Sequence, residues 1–346
     1  MITFRWFGAR DRVPLAHIRQ IPAVRGIVSA LFDIPVGDAL PRARLLGLRE
    51  EVERHDLALA VIESIPVHED IKLGRPTRDR YIDNYCESIR SMGREGAGIP
   101  VLCYNFMPVF DWLRTDLARR LADGSTALAY EDSALARIDL SRGTAELPGW
   151  ATAYSAGELQ ALLAAYRTVG PDQLWDNLAY FLERVVPVAS ASDVKMALHP
   201  DDPPWSIFGL PRIITDGAAL DRVTDIVDDP ANGITFCTGS LGANANVDLP
   251  ATARRLSRRK RIHFAHCRNI RRTGPKSFEE TAHPSERGDV DMRGVLGALA
   301  ESGFQGPIRS DHGRMIWGEQ GQPGYGLYDR ALGAMYLHGL WEGLNA

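Results

Sequence analysis

A (β/α)8 TIM barrel is the fold class this sequence predicts, on three observations. Eight short runs rich in β-branched and apolar residues recur along the chain, at 3–7, 26–30, 57–63, 100–104, 194–198, 234–236, 262–265 and 307–310. Most of them are nearly continuous in apolar character, the pattern of parallel strands buried on both faces. Segments with helical spacing lie between them, and a strand–helix alternation that reaches eight strands closes into a barrel in preference to an open sheet.

Each run is bounded by Gly, Pro or Asp, as strands are. Helical spacing at 43–55 and 78–95 precedes the third and fourth strands, and at 221–227, 249–259 and 290–301 it precedes the sixth, seventh and eighth. No GxGxxG follows the first strand, so a dinucleotide-binding sheet lacks its fingerprint. The spacing is irregular only between 105 and 193, which is too long for one crossover and holds helical patterns at 155–168 and 173–185 and a strand-like part at 127–138. The reading is one barrel domain over residues 1–346 with an inserted helical and β segment after strand four, serving as a lid or an oligomer contact. A homo-oligomer is expected.

Composition narrows the function classes. The chain has 346 residues, 45% hydrophobic and 24% charged, enough to bury a large core. A net charge of -4 gives no general attraction to nucleic acid or to acidic membranes. The basic run Arg254, Arg255, Arg258, Arg259, Lys260, Arg261 reads as a solvated helix face before a phosphate or nucleic-acid site. No run of about 18 apolar residues exists to span a bilayer, and the N-terminus reads as strand and turn, not as a secretory signal. Cys86, Cys103, Cys237 and Cys267 show no CxxC pairing, which points to a reducing cytoplasm.

In a barrel the reactive groups stand at the C-terminal ends of the strands. Strand five ends in His199, strand six in Cys237, strand seven in His266 and strand eight in Asp311. A lone His is usually a hydrogen-bonded structural residue and a lone Cys a small apolar one. Four possible metal donors at equivalent positions of neighbouring strands predict a metal site. Thiolate and imidazole suit zinc or ferrous iron, and carboxylate also suits manganese.

His312 follows Asp311 directly. Neighbours on a strand point opposite ways, yet a turn at the strand end brings both into a site, which makes His312 a candidate acid or base; a surface position is the alternative. Tyr325, between Gly324 and Gly326, sits on a segment able to place a phenol over the site, or in a plain turn. Glu63 and His68 follow strand three, Asn105 follows strand four, Arg268 and Asn269 follow His266, and Arg212 and Arg314 lie in nearby loops. Together they form a candidate set for binding a carboxylate and several hydroxyls. His17, His55 and His338 read as surface or helical residues, and His263 as internal to strand seven.

The motifs Ile62-Glu63-Ser64-Ile65-Pro66-Val67-His68-Glu69-Asp70, Cys103-Tyr104-Asn105-Phe106-Met107-Pro108, His199-Pro200-Asp201-Asp202-Pro203-Pro204, Phe236-Cys237-Thr238-Gly239-Ser240, His263-Phe264-Ala265-His266-Cys267-Arg268-Asn269 and Ser310-Asp311-His312-Gly313-Arg314 resemble those of the D-mannonate dehydratases of hexuronate breakdown. The resemblance covers nearly the whole chain. It implies a metal-dependent barrel that removes water from D-mannonate to give 2-keto-3-deoxy-D-gluconate, a small-molecule sugar acid as substrate, and manganese or ferrous iron ahead of zinc. It implies His199, Cys237, His266 and Asp311 as metal ligands, and His312 and Tyr325 as proton-transfer residues. Cys267 stands where an aliphatic residue is expected. Two other readings fit the same architecture: a metal-dependent sugar or sugar-acid isomerase or epimerase, and a non-catalytic sugar-acid-binding protein.

Overall fold

The computed structural model describes residues 1–138 and 154–345, so the stretch 139–153 of the expected insertion lies outside the described residues. Its strands are β1 (Ile2–Arg5), β2 (Val24–Ser29), β3 (Ala58–Glu63), β4 (Val101–Tyr104), β5 (Asp116–Arg120), β6 (Thr126–Glu131), β7 (Lys195–Leu198), β8 (Asn232–Cys237), β9 (Ile262–His266), β10 (Asn269–Gly274), β11 (Ser277–Thr281) and β12 (Ile308–Arg309). Eight of them close a parallel barrel in the order β1-β12-β9-β8-β7-β4-β3-β2. Each barrel strand coincides with one of the eight runs read from the sequence.

Side chains alternate along a strand, so residues two apart share a face. Val61 lies below Glu63, Val101 below Cys103, Ala197 below His199 and Phe264 below His266. The four lower residues belong to one buried apolar cluster filling the barrel interior. The four upper ones therefore emerge together at the C-terminal mouth, where they line one cavity. A second and larger cluster lies between barrel and helices.

The helices follow local rules. Helix Leu249–Arg258 is capped by the Asp248 side chain, which accepts from Ala251 N, and it buries Leu249, Ala253 and Leu256. Most of the basic run ends up on its outer side, where Arg254 pairs with Glu301 at 2.8 Å and Arg255 and Arg259 pair with Asp221 at 2.8 and 3.1 Å, while Arg261, past the helix end, is buried and paired with Asp228. Helix Ala156–Tyr166 begins with a capping box between Ser155 and Glu158. Helix Pro171–Ser192 is the crossover that returns the chain to β7.

Three elements depart from the sequence reading. The strand-like part at 127–138 is β6 followed by a single 3-10 segment, Asp132–Arg137. β5 and β6 combine with the hairpin β10–β11, which the sequence reading left as loop, into a four-stranded antiparallel sheet over the barrel mouth. The C-terminal helix Tyr328–Leu344 was also not anticipated. It buries Gly333, Ala334 and Leu337 but exposes Tyr328, Leu332 and Met335. Apolar residues on both faces erase the 3.6-residue period that marks a helix.

Candidate metal centre and active-site cavity

The cavity at the barrel mouth is walled by Glu63, Asn105, His199, His266, Asp311, His312 and Tyr325 among others. Cys237, at the end of β8, is fully buried next to the cavity-lining His199 and His266. His199, Cys237 and His266 each place one donor atom within 4.8 Å of the other two. His266 is 1% exposed, and neither of its ring nitrogens has a hydrogen-bond partner. Two orphaned nitrogens in a buried ring are costly unless a cation takes a lone pair, so the donors present fit a divalent metal.

A second trio, Glu63, Cys103 and His266, is equally compact. Electrostatics separates the two. Glu63 is already met by two guanidiniums, Arg309 at 2.7 Å and Arg5 at 3.3 Å, and burial pushes the Cys103 thiol well above its usual range. Burial would also raise the Cys237 thiol, but the Arg268 guanidinium and His199 outweigh it and hold the sulfur below its ordinary value. Burial would lower His199, and the adjoining Cys237 reverses this and raises it to about 9. His266 is kept neutral, chiefly by burial and next by Arg309. A thiolate with two imidazoles is a soft donor set for Mn2+, Fe2+ or Zn2+.

Asp311, the fourth expected donor, stands beside this trio. Its Oδ2 is 3.7 Å from His266 Nδ1 and 3.0 Å from Arg268 Nε, and Oδ1 is 2.5 Å from Arg309 Nη2. Asp311 has φ 59, the left-handed region that costs a side-chain-bearing residue roughly 1–2 kcal/mol. That turn, two residues after the short β12, is why Asp311 and His312 both face the cavity although they are neighbours in sequence.

His312 Nε2 lies 2.8 Å from the Tyr325 hydroxyl, while His312 Nδ1 lies 2.8 and 3.0 Å from the two carboxylate oxygens of Glu280. Trp112 meets the His312 ring edge-on at 5.4 Å. Burial, reinforced by the Asp311 charge, raises the Tyr325 phenol well above its usual range, so it keeps its proton near neutrality.

Of the expected substrate-binding residues, Glu63 and Asn105 line the cavity. Arg268 lies just beneath it, fully buried, hydrogen-bonded to Asp202 and Glu280 at 2.7 and 3.1 Å and ion-paired with Asp311 at 3.0 Å. Four others are corrected by the structure. His68 caps a short helix by accepting from Asp70 N and stacks on Tyr81 at 3.6 Å. Asn269 spans Pro284 O and Val290 N. Arg212 is buried against Phe110 O. Arg314 is held by Asp329 and Asp123 at another cavity. His68, Asn269 and Arg314 are committed to local structure, which loop position alone does not reveal, whereas Arg212 keeps Nε and Nη1 buried without a hydrogen-bond partner. His283, fully buried, makes a hydrogen bond with Ser310 O.

Sequence reasoning missed Arg5, Arg309, Trp112, Asp202 and Glu280. For two of them a signal existed: Arg5 and Arg309 are cations inside otherwise apolar parallel strands, where a charge is retained only with a partner. Glu280 carried none, because its strand was read as loop.

Eight parallel strands, possible metal donors near their C-terminal ends and a hydrogen-bonded His312–Tyr325 pair on the same wall make a barrel site suited to metal-assisted chemistry. The family model for D-mannonate dehydratase (UxuA) matches residues 1–346. "Mannonate dehydratase 2" of Halalkalibacterium halodurans is 55% identical over 345 residues, covering 100% of this chain and 99% of that protein. The crystal structure of mannonate dehydratase from Streptococcus suis serotype 2 superposes with TM-score 0.92 at 49% identity, covering 99% of this chain and 94% of that one. A xylose isomerase-like TIM barrel protein from Mycobacterium smegmatis in complex with magnesium shares the fold alone, with TM-score 0.55 and 14% identity over 96% of this chain and 88% of that one. The chain belongs to the D-mannonate dehydratase family and is a hydro-lyase.

Proposed function

We propose that this protein removes water from D-mannonate to give 2-keto-3-deoxy-D-gluconate, with His199, Cys237, His266 and Asp311 holding Mn2+ or Fe2+, and Zn2+ as the less favoured ion. The observation that carries this reading is the 2.8 Å contact between His312 Nε2 and the Tyr325 hydroxyl on the wall of the cavity that opens onto the donor trio. When bound, a divalent cation supplies Lewis-acid stabilisation of the charge that builds beside the carboxylate as the C2 proton leaves. His312 Nε2, unprotonated in the resting arrangement, accepts that proton. Tyr325 carries the proton delivered to the departing C3 hydroxyl, since hydroxide leaves poorly without one. Glu63, flanked by Arg5 and Arg309, and Asn105 orient the sugar hydroxyls and carboxylate. The isomerase and binding-protein readings gain no support from any close relative.

Appearance of the 2-keto-3-deoxy acid from D-mannonate tests the activity. It is expected with added Mn2+ and lost on chelation; no product in either state overturns the reading. His312→Asn and Tyr325→Phe should each cut turnover by roughly a hundredfold or more at unchanged metal content. In deuterated solvent, Tyr325→Phe should still exchange the C2 proton, whereas exchange by His312→Asn would reverse the assigned roles.

One barrel domain with the insertion at 105–193 remains our description of the chain. A cytoplasmic setting is supported by four buried cysteines with free thiols. No helix among the described residues is long and apolar enough to cross a membrane. The expected homo-oligomer is supported by the exposed strip Trp317, Tyr328, Leu332 and Met335, and light scattering of the purified protein checks it.

A further inference from the structure

Glu280 lies outside every motif that the sequence singled out, yet it ends a chain of contacts that leads into the cavity. It is 2% exposed, on β11 of the small sheet. Its Oε1 accepts from Arg114 Nε at 3.2 Å, Arg114 Nη2 at 2.9 Å and Arg268 Nη1 at 3.1 Å. Both of its oxygens face His312 Nδ1. We propose that Glu280 is the positioning residue that holds the His312 ring with Nδ1 protonated, so that the Nε2 lone pair faces Tyr325 and the cavity.

The argument is one of donor and acceptor counting. A carboxylate hydrogen-bonded by two buried guanidiniums, Arg114 and Arg268, is ionised. An ionised carboxylate only accepts hydrogen bonds. The ring nitrogen facing it must therefore be N–H. In a neutral imidazole the other nitrogen, Nε2, is then the acceptor, and the Tyr325 hydroxyl 2.8 Å away is the donor. The order of protons along Glu280, His312 and Tyr325 is thus set from the buried end.

This rests on His312 being a proton-transfer residue, and the experiment separates the two claims. Glu280→Gln keeps the size. Its carbonyl oxygen is claimed by the Arg114 and Arg268 donors at the Oε1 position, which leaves the amide NH2 at the Oε2 position, 3.0 Å from His312 Nδ1. That amide only donates, so it competes at Nδ1 with the carbonyl oxygen, which stays 2.8 Å away at the Oε1 position, and the hold on the Nδ1-protonated tautomer is weakened. Glu280→Asp is the poorer steric match but remains an acceptor. The expected order of turnover is wild type, then Glu280→Asp, then Glu280→Gln. The Gln variant should lose roughly 10–100-fold in kcat, the range seen when the group orienting a functional His is removed, with KM and bound metal unchanged. A purely structural Glu280 gives the reverse order, because Gln is the closer isostere.

His312→Asn is measured alongside. If it is inactive while Glu280→Gln turns over normally, the Glu280 inference is overturned and the reading of His312 stands. If His312→Asn stays active, the reading of His312 fails. Nitrogen NMR of the zinc-loaded unaltered protein, with His312 assigned by its absence in the Asn variant, reads the tautomer without relying on the fold of any Glu280 variant. A neutral His312 protonated at Nδ1 is expected, and protonation at Nε2 would overturn the proposal.

Discussion

Cys237 owes its chemistry to what surrounds one sulfur atom. Ser240 Oγ lies 3.1 Å from Sγ, and the Arg268 guanidinium sits close by. Gly239 makes that approach feasible, since a Cβ there would come within 2.4 Å of Arg268 Cζ. The same surroundings that lower the thiol make it a donor in the deprotonated form a metal requires. Cys237→Ser keeps the size and loses the soft ligand. Removing a group that merely orients a ligand costs 10–100-fold in affinity, so losing the donor itself should cost roughly a hundredfold or more. Bound-metal analysis with circular dichroism checks this, and full metal content in a folded Cys237→Ser protein would reduce Cys237 to a packing residue. Much of this residue-level picture was legible from strand ends alone. His199, Cys237, His266 and Asp311 fall where a barrel presents its chemistry. What was not legible is that Asp311 meets Arg268 and Arg309 more closely than it meets His266, at 3.0 and 2.5 Å against 3.7 Å, because a charge partner such as Arg268, distant in sequence, leaves no local pattern.

Among elements, the small sheet β10-β11-β6-β5 differs from the barrel in how it is attached. Barrel strands are joined by ladders, whereas the sheet is fastened to the barrel loops by buried charges and by a backbone bridge between Thr126 and Met315. Arg114, just before β5, bonds Asp202 at 2.9 and 3.0 Å from the loop after β7, and it bonds Glu280 on β11. Arg114 is completely buried. Removing one member of such a group strands the others as uncompensated charges, at about 3–5 kcal/mol. Because Arg268 still serves both carboxylates, Arg114→Met should fall near the lower end, about 3 kcal/mol by denaturant unfolding. Arg114→Lys should recover little of it, since an ammonium cannot span two carboxylates as a planar guanidinium does. A loss below 1 kcal/mol in both variants would mean that the sheet is held by its apolar contacts to the barrel loops, such as Tyr130 against Trp205 at 5.6 Å. The contrast in attachment also explains what the sequence revealed. Barrel strands are buried on both faces and read as apolar runs. The β10 strand, Asn269–Gly274, has four of its six residues exposed and carries two arginines, so its pairing with β11 is invisible without the partner.

At the scale of the whole molecule, the barrel is stabilised at both ends by groups that titrate, and the end away from the site gives the cleaner measurement. His263 lies in β9, three residues before His266, and its Nδ1 is 2.6 Å from Met196 O. Burial, against the opposing hydrogen bond to Met196, lowers it from 6.5 to about 4. The unfolded chain takes up a proton near pH 6.5 and the folded chain only near 4, so between those values the unfolded state binds more protons. Stability from this residue is therefore complete above pH 6.5 and falls as the pH drops towards 4. The slope is about 1.4 kcal/mol per pH unit and the full loss about 3 kcal/mol. Glu280, lowered to about 2, adds a separate loss that begins only below its unfolded value of 4.5. Urea unfolding at pH 7.5, 6.0 and 5.0 reads the joint decline from His263 and the other buried histidines held low, such as His266 and His283, while carboxylates are still ionised, and the difference from a His263 variant gives the His263 share. His263→Gln keeps a donor for Met196 O but cannot titrate. It should flatten the decline between pH 6.5 and 5 while leaving the steeper acid loss below pH 4.5 in place, and an unchanged slope in that variant would place the titrating group elsewhere.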